Sequence, residues 1–154
     1  EFLSVNTRPW MGPKFWCPDM QGTSDGNNYK VFRYADAILM AAECLNELDR
    51  DEEALVYLNK TRNRAGIGDY TYRTHIRLQD EIRNERSREL FGEFQRKYDL
   101  VRWGTFYQVL SESTDYQART DNLKPCHEYY PIPDKEVVYS KYALDNKAYN
   151  ACGL

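Results

Sequence analysis

Histidine is scarce in this sequence, and its two copies, His75 and His127, stand alone. Neither has a second metal ligand three or four residues further along the chain, the spacing that places two ligands on one helix face. The Glu-x-x-His pairs of di-iron helix bundles and the glycine loops that cradle phosphate are also absent. The sequence therefore predicts no metal site and no cofactor.

Cysteine is sparse as well, and its four copies are widely spaced. Because no C-x-x-C pair occurs, the sequence supports neither a zinc site nor a redox-active pair. In an oxidising compartment either Cys17 or Cys152 could form a disulfide with Cys126, and the sequence leaves both pairings open. Cys44 falls within a helical pattern, which predicts a small buried side chain.

Long apolar runs and a surplus of one charge are also missing. The longest apolar run, residues 37–42, is too short to cross a bilayer. The net charge is −3, and the arginines between Arg73 and Arg102 are interleaved with acidic residues, so we do not expect the concentrated basic surface that nucleic-acid binding requires. The chain opens without a secretory signal, which predicts either an intracellular protein or one whose N-terminal region has been removed.

Tyrosine, by contrast, is abundant: 13 copies dominate an aromatic content of 14%. A tyrosine combines a flat apolar face with a polar tip, which suits partly solvent-exposed surfaces and contacts with sugars or peptides. The same side chain also packs between helices. Composition alone leaves both interpretations open.

The helical part of the chain begins after an irregular, proline- and glycine-containing segment at residues 1–30. Apolar residues then recur at helical spacing over residues 33–48. Asp49, with Glu52 three places later, predicts a capping box that starts a second helix, and Gly66 ends it. Because the link is short, the two helices are expected to form an antiparallel hairpin.

A third helix is predicted over residues 79–94 and a fourth over 95–110, followed by a second irregular stretch. Small residues at Ala42 and Ala54 fit a tetratricopeptide-like hairpin. The sequence thus predicts a mostly α fold of antiparallel hairpins of tetratricopeptide-like type, flanked by irregular N- and C-terminal segments. We divide it into residues 1–30, a two-hairpin region at 31–110, and a segment at 111–154 that packs on the helices.

Four ordered sequence blocks carry a family resemblance. They are RYADAILMAAE at residues 33–43, ALVYLNKTRNRAG at 54–66, IRNERSRELFGEFQRKYDLVRWG at 82–104, and YPIPDKE at 130–136. Together they resemble the motifs of the SusD/RagB family, and the resemblance extends over residues 29–150. Phe94 departs from the pattern because the family often has glycine there, and residues 146–149 match the family's closing motif only in part.

The resemblance implies a binding protein rather than an enzyme. Members of the family are mostly helical and are lipid-anchored at the outer face of the outer membrane. They capture glycans or other nutrients beside a TonB-dependent transporter of the SusC type. No residue here matches the cysteine that carries the anchor, so the chain resembles the C-terminal portion of such a protein.

The acidic residues of the third block could suggest acid–base catalysis. Glu85 and Glu89, however, share a helix face with Leu78 and Ile82, and a carboxylate that faces a core needs a guanidinium partner. We therefore predict a structural ion network that locks helix three against helix four, with Arg33 as a further candidate member. Its predicted members are Glu85, Glu89, Arg96, Asp99 and Arg102.

Aromatic residues in irregular segments are the candidates for sugar binding: Trp10, Trp16, Tyr70 and Tyr72. Alternatively, the two tryptophans pin the N-terminal tail onto the helices. Trp103 lies in the third block and is expected to be part of the core. The main alternative function is a scaffold that docks the transporter and has no ligand site of its own. A third alternative, an intracellular helical enzyme, would need a pocket around His75 or His127.

Overall fold

The computed structural model describes residues 14–15, 28, 30–113 and 122–152. Trp10, Trp16 and Cys17, which figure in the sequence analysis, lie outside these residues. The chain divides into two compact units, Glu1–Arg33 and Tyr34–Leu154. In the first unit, Lys30 Nζ donates a hydrogen bond to the carbonyl of Lys14 (2.7 Å) and lies 5.8 Å from the centre of the Phe15 ring.

The second unit is built from helices. They are α1 (Tyr34–Glu47), α2 (Asp51–Arg64), α3 (His75–Glu89), α4 (Arg96–Arg102), α5 (Phe106–Ser111), a 3-10 helix (Pro125–Glu128), α6 (Asp134–Tyr139) and α7 (Lys147–Ala151). Over the described ranges no strand is present, so the predicted mostly α fold is confirmed. None of these helices is both long and apolar enough to span a bilayer. The tetratricopeptide-like type and the three-segment division stay predictions.

The core lies where α1, α2 and α3 meet. Ala42 on α1 and Ala54 on α2 are fully buried, and their small side chains let the two helices approach closely. Burying each large aliphatic side chain here contributes roughly 1.5–3 kcal/mol, so the helix face predicted from apolar spacing holds the unit together. The large buried members are Leu39, Leu58, Leu78 and Ile82.

The capping box predicted at the start of α2 is wrong. Asp49 adopts a left-handed conformation (φ 57°), and Arg50 occupies the N-cap position without a side-chain cap. Three residues must reverse the chain direction here, and Asp is one of the few non-glycine residues that tolerates the left-handed region. The side chain of Asn46 instead bonds α1 to α2 through Asp51 Oδ1 (2.7 Å).

The third and fourth helices also have other bounds than predicted. α3 begins at His75 because the Thr74 hydroxyl accepts a hydrogen bond from the Arg77 amide (3.3 Å) and caps the first turn. The predicted fourth helix is two helices, α4 and α5. They are separated at Gly104, whose φ of 67° breaks the helical path.

Phe94, in the loop between α3 and α4, has a φ of 60°. This is the position where the family often has glycine, and a left-handed conformation costs a non-glycine residue about 1–2 kcal/mol. We predict that Phe94→Gly raises the free energy of unfolding by about 1 kcal/mol, measured from the urea midpoint. Phe91→Gly in the same loop is the control, because Phe91 has no positive φ and should lose stability. Equal losses in both variants would contradict the prediction.

The C-terminal segment is stabilised by a disulfide between Cys126 and Cys152. The sequence left two pairings open for Cys126, and the structure has the one with Cys152. Cys44 is a free and exposed thiol, so the prediction that it is buried is wrong. It lies on α1 away from the face that carries Leu39 and Ala42.

Candidate functional site

Arg86 is the centre of a buried ion cluster and is only 4% exposed. Its Nε and Nη2 donate to the two carboxylate oxygens of Asp99 on α4 (2.9 and 3.0 Å). Its Nη1 lies 2.9 Å from Asp36 Oδ1 on α1, although the two atoms are not aligned for a hydrogen bond, so this contact is an ion pair. One guanidinium therefore ties α3 to both α1 and α4.

Arg102 makes a second link between α4 and α1. Its guanidinium forms a forked pair with Glu43, with Nη2 2.6 Å from Oε2, and it also bonds Asp99 (2.9 Å). The indole N–H of Trp103 donates to Glu43 Oε1 (2.7 Å). Burial alone would raise the pKa of Glu43, but these hydrogen bonds from Arg102 and Trp103 bring that pKa below its usual value. Glu43 is thus a fixed carboxylate at neutral pH and not a proton donor.

The predicted members Glu85 and Glu89 face α2. Glu85 is almost fully buried and accepts hydrogen bonds from Arg88 (2.7 Å) and Arg62 (3.5 Å). Glu89 pairs with Arg64. These two carboxylates connect α3 to α2, whereas the sequence analysis expected them to connect helix three to helix four.

The sequence analysis left out several members of this network, among them Asp36, Glu43, Arg62 and Arg86. Each of these four lies in one of the four sequence blocks, and a signal for two of them was present. Asp36 and Glu43 are seven residues apart on α1, on the same face as the buried Leu39. Charged residues in line with core positions need partners, which is what Arg86 and Arg102 provide.

Arg96, another predicted member, stands apart from this network. Among the described residues no carboxylate lies within ion-pair distance of Arg96, whose Nη1 donates to the carbonyl of Arg83 (3.4 Å). Arg33 is the last residue of the first unit, so its part in the network stays a prediction.

Next to this network is an open cleft of about 300 Å³, which we call the Trp103 cleft. Trp103 was expected to belong to the core, but it is only half-buried. Three guanidinium groups lie near its ring centre, those of Arg83 (5.0 Å), Arg96 (5.6 Å) and Arg102 (4.9 Å). Other residues that line the cleft include Arg77, Asp80 and Asn84.

Tyr70 and Tyr72, two of the predicted sugar-binding residues, lie in the link between α2 and α3. Tyr70 packs against the core, and its hydroxyl donates to the carbonyl of Arg77 (3.2 Å). Tyr72 is 44% exposed, and its hydroxyl donates to Asp51 Oδ2 (3.0 Å), which raises the pKa of Tyr72. Tyr72 therefore keeps part of its ring accessible, whereas Tyr70 is mainly structural. A ligand role for either stays a prediction, as it does for Trp10 and Trp16.

The histidines take part in local structure. His75 Nδ1 lies 3.0 Å from Asp51 Oδ1 at the junction of α2 and α3. His127 Nδ1 accepts from the Lys124 amide (3.3 Å) within the 3-10 helix. In the described ranges no three His, Cys, Asp or Glu side chains come together as they would around a metal ion.

A second surface feature is the tyrosine loop, residues 129–146. Its last residue is tied back to its first part, because the Asn146 side chain pairs with both the amide (2.8 Å) and the carbonyl (2.9 Å) of Ile132. The loop presents four tyrosines, Tyr129, Tyr130, Tyr139 and Tyr142, each at least 66% exposed. The sequence analysis named no functional residue here. Exposed aromatic side chains are characteristic of surfaces that contact a partner or a ligand.

Comparison with known proteins identifies one family whose sequence pattern this chain matches. The family that matches is described as the SusD family, and the match covers residues 13–149. A SusD-like protein of Formosa agariphila is 36% identical over 155 residues, which cover 92% of this chain and 28% of that protein. Another from the same organism is 34% identical over 139 residues, covering 81% and 26%. The chain thus spans about a quarter of the length of these relatives. No solved structure matches it.

Proposed function

The chain belongs to the SusD family, and from this premise we propose that it serves in capturing a nutrient, a glycan in particular, at the cell surface. The match over residues 13–149 is the observation that carries the proposal. The partner we propose is a TonB-dependent transporter of the SusC type. The whole protein would be held at the outer membrane by a lipid anchor.

The disulfide supports a location outside the cytoplasm. A bond between Cys126 and Cys152 persists in oxidising surroundings, whereas the reducing cytoplasm keeps most thiols free. The cell surface meets this condition. The bond therefore favours the proposed location over the intracellular alternative.

We propose a binding role rather than catalysis. A general acid or base needs a proton that it can exchange near the working pH. Buried carboxylates of the helical unit are held by guanidinium groups instead, for example Asp99 by Arg86 and Glu43 by Arg102. This arrangement supports a structural role for the charged motif residues.

Binding to a glycan array tests the proposal. We expect the folded chain to bind one class of glycan, and Trp10→Ala, Trp16→Ala or Tyr72→Ala to weaken that binding about 10-fold, as for aromatic residues at the centre of an interface. Tyr57→Ala is the control, because Tyr57 is an exposed tyrosine on α2. If the chain is folded by circular dichroism and binds no glycan, a glycan site in this chain is ruled out.

The tyrosine loop favours the second candidate function, a scaffold that docks the transporter. Exposed aromatic side chains on a closed loop suit a protein partner as well as a sugar. In that case Tyr139→Ser/Tyr142→Ser would weaken binding to a purified SusC-type transporter and leave the glycan array unchanged. If the double variant binds the transporter as the unmodified chain does, this surface is not the docking site.

A further inference from the structure

The Trp103 cleft contains more guanidinium groups than the protein's own carboxylates neutralise. Elsewhere on α2, α3 and α4 the arginines are paired: Arg62 with Glu81, Arg86 with Asp99, Arg102 with Glu43. By contrast, across the described part of the chain no carboxylate lies within ion-pair distance of the three arginines that line the cleft. These are Arg77, Arg83 and Arg96.

Arg83 and Arg96 are also poorly satisfied as hydrogen-bond donors. The Nε of Arg83 is buried and has no hydrogen-bond partner. The side chain of Arg96 has one long bond, to the carbonyl of Arg83 (3.4 Å). Burial lowers the pKa of Arg96, and the nearby Arg86 cation lowers it further against the opposing effect of Asp99. A bound anion would accept hydrogen bonds from the unsatisfied donors and would offset the positive charge of the neighbouring guanidinium groups.

The position of Trp103 indicates which kind of group fits. Guanidinium groups crowd the ring, so its face is not free to stack against a sugar ring. The ring instead orients Arg83 and Arg96. Planar guanidinium forks match the paired oxygens of a carboxylate or sulfate group. The cleft therefore favours an oxyanion over a neutral ring.

The rest of the lining suits the sugar that would carry this oxyanion. Asn84 offers an amide and Thr105 a hydroxyl for sugar hydroxyl groups. A volume of about 300 Å³ is at the small end of ligand sites and accommodates about one sugar unit. Asp80 is the single carboxylate that lines the cleft, against three guanidinium groups.

We infer that the Trp103 cleft binds the carboxylate or sulfate group of an acidic sugar, through Arg83 and Arg96 with Arg77 at the rim. The inference rests on the proposed function, because it names the class of glycan that this chain would take. Its ligand is identified by the oxyanion, which a uronic acid and a sulfated sugar share.

Calorimetric titration with glucuronate, glucose 6-sulfate, glucose and inorganic sulfate tests the inference. We expect both acidic sugars to bind at least about 10-fold more tightly than glucose, as charge-assisted hydrogen bonds imply, and added salt to weaken them. Arg83→Gln and Arg96→Gln should each weaken that binding about 10-fold. Arg64→Gln is the control, because Arg64 pairs with Glu89 outside the cleft.

Arg77→Gln is a further variant, to be used if Arg83 or Arg96 proves necessary for folding. Because Arg77 is exposed, its replacement should leave the fold intact. Equal binding of glucose and glucuronate would overturn the inference, as would inorganic sulfate that binds as tightly as glucose 6-sulfate. If the array finds neutral glycans and the acidic sugars do not bind, the inference fails and the proposed function stands. If no saccharide binds the folded chain, both fail.

Discussion

Replacing Arg86 with methionine should lower the free energy of unfolding by about 3–5 kcal/mol, the usual effect of removing one partner from a buried ion pair. The reason is the loss of ion-pair contacts at Asp36 and Asp99. Both are almost fully buried; Asp36 would lose its guanidinium partner, and Asp99 would keep only its contact with Arg102. Because small domains are stable by only about 5–15 kcal/mol, the variant should be close to unfolding. Urea denaturation followed by circular dichroism measures the loss.

Two comparisons separate this effect from a general sensitivity to arginine replacement. Arg50→Met removes an exposed pair with Glu53 and should leave the unfolding curve nearly unchanged. Adding Asp36→Asn and Asp99→Asn to Arg86→Met should recover part of the loss, since the uncompensated charges are then gone. A loss in Arg86→Met no larger than in Arg50→Met would disprove a structural role for the cluster.

Removing the disulfide should have the second large effect. Cys126 and Cys152 are separated by 26 residues. Closing a loop of this length lowers the conformational entropy of the unfolded chain, which stabilises the folded state by about 3.5 kcal/mol. Cys126→Ser/Cys152→Ser should therefore unfold at lower urea concentration. The unmodified protein should do the same once a reductant is added.

Cys44→Ser is the matched control, because Cys44 is a free and exposed thiol that makes no disulfide. Its unfolding curve should follow that of the unmodified protein, with and without reductant. If reductant leaves the unmodified protein unchanged, the bond contributes nothing to the stability of the C-terminal segment.

How much of the fold could be predicted depends on how local its causes are. The core of α1, α2 and α3 follows from apolar spacing, which the sequence displays directly. The split at Gly104 was overlooked although glycine is a helix-ending signal. The turn at Asp49 was missed because it depends on a positive φ in a residue other than glycine. Such conformations are weakly encoded by residue type outside glycine.

The charged sites show the same division. Motif blocks pointed to Asp99 and Arg102, and the structure places both in a network. The partners of Glu85 and Glu89, however, are arginines on α2, a choice that depends on how the helices pack. The Trp103 cleft draws its lining from α3, α4 and α5, and no spacing rule brings the side chains of separate helices together.

The link from Arg86 to Asp36 and Asp99 also has a consequence for cooperativity. Its carboxylates belong to α1 and α4, so neither helix can leave without breaking a buried ion pair of Arg86. A half-formed polar network is less stable than one that is complete or absent. The three helices should therefore open together rather than one at a time. A unit of this kind has few partly open forms, and those are the forms that a protease at an exposed surface would cut.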